Sequence, residues 1–298
     1  MQYNQLGQSD LNVSEICFGC MSLGEDQNVN DRLIGEAIDG GINFFDTADL
    51  YQKGANERVL GKALKGKRQD VLIATKVGNV WREDGSGWDW NPTKKYILKA
   101  VDASLERLQT DYIDLYQLHG GTLDDPIDDI IAAFERLKKT GKIRHYGISS
   151  IRPNVMREYV AKSNLASIMM PYSLLDRRPE EGCFASLLDK KVGVLARGAL
   201  AKGLLAGKPA EVFQDYSKEE VQKVIDTLSN LSNFYRSPTQ TALRFVGQEP
   251  AVTSIVSGIR NPEQLKENLG FADSPELTTS ELEILKNLLP PTFYSLYR

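Results

Sequence analysis

Residues 112–149, YIDLYQLHGGTLDDPIDDIIAAFERLKKTGKIRHYGIS, contain two apolar runs separated by one helix-like segment. The runs YIDLYQLH (112–119) and IRHYGIS (143–149) are rich in β-branched and aromatic residues, which is typical of parallel strands covered by helices. The segment between them starts with acids and ends with lysines and a glycine, as the helix dipole favours. The stretch therefore predicts two parallel strands joined by a helix.

The same alternation continues along the chain. Six further strand-like runs are EICFGC (15–20), INFFDT (42–47), VLIATK (71–76), ASIMM (166–170), VGVLAR (192–197) and AVTSIV (251–256). Further amphipathic segments lie at 28–41, 91–108 (with Pro92 at the predicted helix start), 153–163, 179–190, 238–248 and 262–269. Eight strands alternating with helices predict an α/β fold, a (β/α)₈ TIM barrel, over one domain of residues 1–298. Two extra helical patterns lie near 218–233 and 278–289.

A doubly wound parallel sheet is the alternative α/β architecture. It is disfavoured because the chain has no GxGxxG after its first strand-like run. The number of such runs is eight, which also favours the closed barrel over the open sheet.

The composition excludes several classes of protein. Hydrophobic residues make up 41% and charged residues 26% of the 298 residues, near the globular average, and the net charge of −4 argues against nucleic acid as a partner. No apolar run approaches the ~20 residues that a membrane span needs. The three cysteines suit a reducing compartment, so we expect a soluble, cytoplasmic protein. Cys17 and Cys20 have metal-site spacing, but without further ligands nearby we expect no metal.

Three neighbouring strands of the predicted barrel end in ionisable residues. Asp46 closes the second strand, Lys76 the third and His119 the fourth, and Tyr51 follows Asp46 by five residues. Function in such a barrel lies at the carboxyl ends of the strands, so we expect these side chains at one rim. Each alone has an ordinary explanation as a turn cap, a surface lysine, a packed aromatic or a core histidine. Their coincidence on adjacent strand ends favours a catalytic site.

These four residue types suit the protonation of an oxyanion, as when hydride reaches a carbonyl. An ammonium beside a phenol favours the phenolate, and an aspartate paired with the lysine fixes its position. An imidazole beside the hydroxyl orients a carbonyl oxygen or shares its proton. An aldolase or isomerase that uses Lys76 in a Schiff base is an alternative, and it requires Lys76 to be free of Asp46.

Taken in order, the motifs resemble the aldo-keto reductase family over nearly the whole chain. LGQSDLNVSEICFGCMSLG (6–24) resembles its N-terminal β-hairpin and first strand, FFDTADLY (44–51) carries its Asp and Tyr, IATKVG (73–78) its Lys and DLYQLH (114–119) its His. GISS, PYSLLDR, ARGALAKGLLAGK and SIVSGIRNPEQLKENL follow in the family's order.

The resemblance implies reduction of aldehydes and ketones to alcohols by hydride transfer from NAD(P)H, without metal, in a monomer or small homo-oligomer. It implies Tyr51 as general acid, assisted by Lys76, with Asp46 supporting the lysine and His119 orienting the small carbonyl substrate. A cofactor-binding regulatory barrel, similar to potassium-channel β-subunits, is the alternative function.

The resemblance also implies a cofactor site along the strand ends. The residues at the nicotinamide end are Gly19, Cys20, Met21, Asp46, Ser149, Ser150, Met169 and Arg197. Those over the pyrophosphate and at the adenosine end are Gly198, Leu200, Lys202, Gly203, Lys208, Ser257, Gly258, Arg260, Gln264 and Asn268. A guanidinium forks onto phosphate oxygens, so pairing of Arg260 with a 2′-phosphate favours NADPH over NADH.

Three residues at the nicotinamide end depart from the family pattern. Ser150 stands where the family usually has Asn, Met169 where it usually has Gln, and Arg197 where a stacking Tyr is common. The first two changes remove carboxamide partners of the nicotinamide amide. We therefore expect the nicotinamide to be held in a modified way, with the flat guanidinium of Arg197 partly replacing the lost contacts.

The loop after the third strand predicts a substrate wall. GNVWREDGSGWDWNPT (78–93) contains all three tryptophans of the chain, Trp81, Trp88 and Trp90. A long aromatic loop at the active face, together with Tyr51 and His119, suits apolar or aromatic carbonyls, although anchoring of the loop is an alternative role for one or two tryptophans. PPTFYSLYR (290–298) is predicted to close another side of the pocket.

Overall fold

The computed structural model describes residues 1–298, and its centre is a closed barrel of eight parallel strands. In chain order and around the barrel these are β1 (Ile16–Gly19), β2 (Phe44–Asp46), β3 (Leu72–Val77), β4 (Ile113–Leu118), β5 (Ile143–Ser149), β6 (Ser167–Pro171), β7 (Gly193–Arg197) and β8 (Val252–Gly258). Each lies within or overlaps one of the predicted runs. The predicted (β/α)₈ TIM barrel is therefore confirmed.

Eight helices alternate with the strands. They are α1 (Gln27–Asp39), α2 (Ala55–Ala63), α3 (Lys94–Leu108), α4 (Ile127–Lys139), α5 (Pro153–Lys162), α6 (Cys183–Asp189), α7 (Pro238–Gly247) and α8 (Pro262–Asp273). The two helices predicted outside the repeat are present at Lys218–Leu231 and Thr279–Asn287. The sequence pattern did not predict α2, because its buried face includes the polar residues Asn56 and Glu57.

Some predicted helix ends differ from the structure. The third helix does not start at Pro92: Thr93 caps α3, accepting a hydrogen bond from the Tyr96 amide at 3.3 Å, so the helix begins at Lys94. The helix predicted at 179–190 is shorter, because a 3₁₀ turn at Arg178–Glu181 precedes α6. Conversely, α8 runs beyond the predicted residue 269.

The interior of the barrel is apolar and its amino-terminal end is closed. The predicted N-terminal hairpin is present, with Tyr3–Gln5 pairing antiparallel with Asn12–Ser14. The inner cluster consists of Leu6, Leu11, Val13, Cys17, Phe44, Ala74, Leu115, Ala166, Met169 and Leu195. Three of these side chains come from the hairpin segment, which therefore plugs this end and leaves the carboxyl end of the strands as the place for a site.

The outer cluster lies between the strands and the helices. Cys20 packs in this outer cluster, whereas Cys17 packs in the inner one, so the two thiols lie on different faces of the barrel wall. No group of three or more His, Cys, Asp or Glu side chains is arranged to hold a metal ion. No helix has both the length and the apolar character needed to cross a membrane.

Candidate active site

Strand pairing brings the predicted catalytic residues to one rim of the barrel. Asp46 ends β2 in register with Ala74 of β3, and Lys76 lies two residues further along β3. His119 directly follows β4, and its backbone N–H donates to the Val77 carbonyl at 2.8 Å. The four predicted side chains are thus contributed by three adjacent strands and the loop that follows β2.

Lys76 is the centre of this group. Its Nζ lies 2.6 Å from Asp46 Oδ2, donates to the Thr47 carbonyl at 2.8 Å and lies 3.4 Å from the Tyr51 hydroxyl. The lysine side chain is fully buried and that of Asp46 is 5% exposed. Burial disfavours the ammonium, but the neighbouring Asp46 carboxylate and the Tyr51 hydroxyl together outweigh burial and raise the pKa of Lys76. Lys76 is therefore a fixed cation rather than the free amine that a Schiff base requires.

Tyr51 lies between the lysine and the histidine. Lys76 Nζ is 5.1 Å from the centre of the Tyr51 ring, and the Tyr51 and His119 rings meet edge to face at 5.9 Å. The Trp81 indole N–H donates to the Leu50 carbonyl at 2.9 Å and so fixes the residue just before the tyrosine. This arrangement presents the phenol hydroxyl beside a cation and an imidazole.

His119 is a neutral group in this setting. Burial, followed by the positive charges of Lys76 and Arg197, lowers the pKa of His119 to about 3. Its Nδ1 is buried and has no hydrogen-bond partner within the chain. A neutral imidazole has one N–H to donate, so His119 is suited to orient a carbonyl oxygen rather than to supply the proton.

We expect that the pH dependence of the activity contains no ionisation of His119 near neutral pH. With its pKa at about 3, the imidazole charges only in strong acid, so kcat/KM is expected to be free of a step near the usual histidine pKa of about 6.5. The measurement is a pH–rate profile together with ¹⁵N chemical shifts of the imidazole, assigned with the His145→Gln variant. Protonation of His119 near neutral pH would contradict the described environment.

The rim beside this group suits a dinucleotide. Arg197, Lys202, Lys208 and Arg260 are exposed cations along it. Gly198, Gly203 and Gly207 have φ values of 71°, 95° and 92°, so the segment after β7 turns in the left-handed region with its backbone accessible. Such a cationic segment fits a pyrophosphate.

The predicted adenosine end also has unsatisfied groups. Asn268 is buried and donates to the Gln264 carbonyl at 2.8 Å, but its Oδ1 accepts no hydrogen bond within the chain. The Arg260 guanidinium makes no hydrogen bond or ion pair within the chain, while its backbone N–H donates to Gln264 Oε1 at 3.0 Å. Ser257 and Gly258 end β8 next to Gly19 of β1. These groups are free for a ligand, so the residues fit the implied cofactor.

The three departures from the family pattern have different surroundings. Met169 packs in the inner apolar cluster and offers no polar group to a ligand. Ser150 accepts a hydrogen bond from the Arg152 amide at 3.1 Å and is buried, as is Ser149. Arg197 is exposed, and its guanidinium has no partner within the chain although its charge acts on both Asp46 and His119. It is the departure best placed to contact a ligand at the rim.

Other predicted cofactor residues occupy mixed environments. Cys20 is fully buried with its side chain among the helices, so it can offer only its backbone, and Met21 is exposed at the rim. Leu200 is the N-cap residue of the 3₁₀ segment Ala201–Ala206. Lys208 folds back and donates to the Lys202 carbonyl at 2.9 Å.

The three tryptophans form a hairpin beside Tyr51, with Asn79–Trp81 pairing with Trp88–Trp90. Trp81 contacts the Tyr51 turn through Leu50, and its ring meets that of Trp88, which is 51% exposed, at 5.5 Å. Trp90 donates to Asp125 Oδ1 at 2.8 Å. Trp81 therefore lies beside the Tyr51 turn with Trp88 against it, and the contacts of Trp90 are those of an anchor.

The C-terminal segment packs at another side of the rim. The Asn154 amide donates to the Tyr297 carbonyl at 2.9 Å, and the Arg152 guanidinium lies 4.9 Å from the Tyr297 ring centre. Arg152 also donates to the carbonyl of Gly121, two residues after His119. The tail is thus joined to the loop that follows the histidine.

Two supporting residues were not predicted from the sequence. Gln117 of β4 is fully buried, and its Nε2 lies 3.4 Å from Asp46 Oδ1. Thr47 holds Lys76 through its carbonyl and Asn56 through its hydroxyl, at 2.7 Å. Gln117 could have been predicted, because a glutamine within an apolar strand is unusual. Thr47 could not, because it holds Lys76 through its backbone carbonyl, which every residue type has.

Comparison with known proteins places this architecture in a family. The family model "Aldo/keto reductase family" matches residues 15–290, which is nearly the whole chain. The chain belongs to the aldo-keto reductase family and is an NAD(P)H-dependent oxidoreductase of a family that reduces carbonyl compounds.

Individual relatives agree with this assignment. The chain is 46% identical to the "Uncharacterized oxidoreductase YqkF" of Bacillus subtilis (strain 168), with all of both chains covered. It is 32% identical to the "NADH-specific methylglyoxal reductase" of Escherichia coli (strain K12), over 89% of this chain and 91% of that protein. Among solved structures, the holo form of aldo-keto reductase AKR11C1 from Bacillus halodurans is 48% identical, with a TM-score of 0.95 over 100% of this chain and 99% of that one.

Proposed function

We propose that this protein reduces aldehydes or ketones to alcohols with NADPH, using Tyr51 as the general acid. The observation that carries the proposal is the position of Lys76 Nζ, 2.6 Å from Asp46 and 3.4 Å from the Tyr51 hydroxyl. A buried cation beside a phenol favours the phenolate that remains after proton transfer. The group is therefore arranged to protonate an alkoxide as it forms.

The proposed chemistry divides the work among the chain's own residues. The bound nicotinamide would supply the hydride. The neutral His119 orients the carbonyl oxygen with one N–H, and Tyr51 gives its hydroxyl proton to that oxygen. Lys76 stabilises the resulting phenolate, and Asp46 keeps Lys76 charged and in place. Trp81 and Trp88 provide an apolar wall, which suits apolar or aromatic carbonyls.

We further propose that Arg260 selects NADPH. Its free guanidinium, two residues after the end of β8, suits a bidentate contact to the 2′-phosphate. The Escherichia coli relative is named as NADH-specific, so the opposite preference is the alternative to be tested. Arg197, at the nicotinamide end, is proposed to contact the part that both cofactors share.

Arg260→Ala is expected to weaken NADPH binding by about 10- to 100-fold and to leave NADH binding within about twofold, because a charge-assisted hydrogen bond contributes about 1.5–3 kcal/mol. Arg197→Ala serves as the matched arginine variant and is expected to weaken both cofactors to a similar extent. Dissociation constants from fluorescence titration test both statements. An equal effect of Arg260→Ala on the two cofactors would exclude the proposed 2′-phosphate contact.

A regulatory cofactor-binding barrel is the alternative that turnover must exclude. The feature that favours this alternative is the absence of two carboxamide partners of the nicotinamide amide, at Ser150 and Met169. NADPH binding together with oxidation of NADPH by a panel of aldehydes supports the enzyme, whereas tight binding without turnover supports the regulatory function. The single domain over residues 1–298, the oligomeric state and the cytoplasmic location stay predictions.

A further inference from the structure

The Lys76 ammonium has three N–H bonds, and the structure offers an acceptor to each of them. Two acceptors are close, Asp46 Oδ2 at 2.6 Å and the Thr47 carbonyl at 2.8 Å, and the third is the Tyr51 hydroxyl at 3.4 Å. Because the three N–H bonds of an ammonium have fixed angles to one another, the first two acceptors determine where the third N–H points. The position of the Thr47 carbonyl therefore decides how the cation faces Tyr51.

Thr47 directly follows β2, is fully buried and uses all of its polar groups. Its backbone N–H donates to the Ala74 carbonyl at 2.9 Å, and its own carbonyl accepts from Lys76. Its hydroxyl lies 2.7 Å from Asn56 Oδ1. The backbone groups of Thr47 bond to β3, so the hydroxyl is its one polar link to a helix.

Asn56 is the second residue of α2 and is also fully buried. Its Nδ2 donates to the Cys20 carbonyl at 2.8 Å. Since a carbonyl only accepts, this bond fixes the orientation of the carboxamide, with Oδ1 toward Thr47 and the Thr47 hydroxyl as the donor. Asn56 thus joins the residue after β1 to the residue after β2.

The first turn of α2 is held in place on its other side by Glu57. This side chain is fully buried, accepts from the Thr75 hydroxyl at 2.6 Å and pairs with Arg107 Nε at 2.6 Å. Thr75 directly precedes Lys76 on β3, and Arg107 belongs to α3. A residue whose own surroundings are fixed in this way is able to hold a second residue precisely, and Asn56 is such a residue.

We propose that Asn56 is a positioning residue for Lys76: through the Thr47 hydroxyl, it holds the Thr47 carbonyl where the ammonium directs its third N–H to Tyr51. The Asn56 side chain bonds only to Thr47 and Cys20, so it acts on the lysine through Thr47. The consequence for turnover rests on the proposed role of Tyr51, whereas the orientation of the ammonium does not.

The direct test observes the Lys76 ammonium by ¹H–¹⁵N NMR of the full chain, with its signal assigned from its absence in Lys76→Met. Thr47→Val removes the hydroxyl and keeps the carbonyl and the shape of the side chain, and it is expected to move the signal. Thr47→Ser restores the hydroxyl and is expected to return the signal to its wild-type position. An unmoved signal in Thr47→Val would overturn the proposal.

The matched control is a buried asparagine of another helix. Asn30 of α1 is 2% exposed, and its Nδ2 donates to the Gly24 carbonyl at 2.9 Å, as the Asn56 amide does to Cys20. Asn56→Leu is expected to move the Lys76 signal, and Asn30→Leu is expected to leave it in place. Equal movement in the two variants would show a general effect of a lost buried amide and would overturn the proposal.

The second test measures turnover of the folded variants. Thr47→Val is expected to lower kcat by about 10- to 100-fold, because a small misplacement of a catalytic group has an effect of this size. The dissociation constant for NADPH is expected to stay within about twofold, and kcat of Thr47→Ser within about threefold of the wild type. A purely structural role would lower the unfolding temperature and leave kcat of the folded Thr47→Val enzyme unchanged, which would overturn the proposal.

The double variant Thr47→Val/Asn56→Leu tests the route of the effect. If Asn56 acts through Thr47, the double variant loses no more kcat than Asn56→Leu alone, whereas losses that multiply would overturn the proposal. If Asn56→Leu does not fold, the comparison of Thr47→Val with Thr47→Ser still decides. If the wild type turns over no carbonyl, the proposed function fails, while the ammonium signal still tests the positioning of Lys76.

Discussion

Replacement of Tyr51 by phenylalanine is expected to lower kcat/KM for carbonyl reduction by about 10²- to 10⁴-fold, the usual contribution of a positioned general acid. The change removes one hydroxyl that lies 3.4 Å from Lys76 Nζ and keeps the ring that meets His119 edge to face. The ring packing and the Trp81 contact to Leu50 remain, so the fold is expected to be unaffected. The measurement is steady-state kinetics with NADPH and an aldehyde, beside the dissociation constant for NADPH.

Binding of NADPH is the control measurement for this prediction. The loss is expected in kcat, with NADPH binding within about twofold of the wild type, because the hydroxyl acts on the substrate oxygen. Tyr96→Phe removes a hydroxyl from a tyrosine of α3 outside the proposed catalytic group and is the matched variant. A Tyr51→Phe enzyme that keeps wild-type kcat would assign the proton to another group and refute the role of Tyr51.

Replacement of Lys76 by methionine is expected to abolish turnover and also to destabilise the fold. The pair with Asp46 is buried, so removal of one partner leaves an uncompensated charge, at a cost of about 3–5 kcal/mol in the free energy of unfolding. Urea unfolding at neutral pH, followed by circular dichroism, measures this loss. Turnover is measured on the folded fraction so that the two effects are separated.

The double variant Asp46→Asn/Lys76→Met separates the stabilising from the chemical role of this pair. With both charges removed, the buried site is neutral again, and most of the lost stability is expected to return while activity stays absent. A double variant less stable than Lys76→Met would contradict the description of the two residues as one coupled pair. Recovery of turnover in the double variant would contradict the need for the cation beside Tyr51.

The barrel was predictable because parallel strands covered on both faces leave continuous apolar runs in the sequence. The catalytic group was predictable for a related reason, since Asp46, Lys76 and His119 interrupt or end those runs at the carboxyl side. The pattern failed for α2, whose inward face carries Glu57 to meet Arg107 and Thr75. From the sequence alone, polar residues that form a buried network cannot be distinguished from those on an exposed helix face.

Other features depend on geometry that residue types do not encode. The left-handed turn after Tyr51 includes Gln52 and Lys53, which carry none of the conformational signal of glycine. Asp49 Oδ1 is buried without a hydrogen-bond partner, and this depends on which side chains pack around it in three dimensions. Likewise, Met169 became an inner core residue because the N-terminal hairpin closes the barrel beneath it.

The most direct test of the central claim follows the hydrogen that reduces the carbonyl. The protein is incubated with an aldehyde and NADPH deuterated at the transferable position of the nicotinamide ring, and the product is analysed by NMR. For a carbonyl reductase, we expect stoichiometric oxidation of the cofactor and an alcohol with one deuterium on the carbinol carbon. Tight NADPH binding without any alcohol, or an alcohol that contains no deuterium on that carbon, would contradict it.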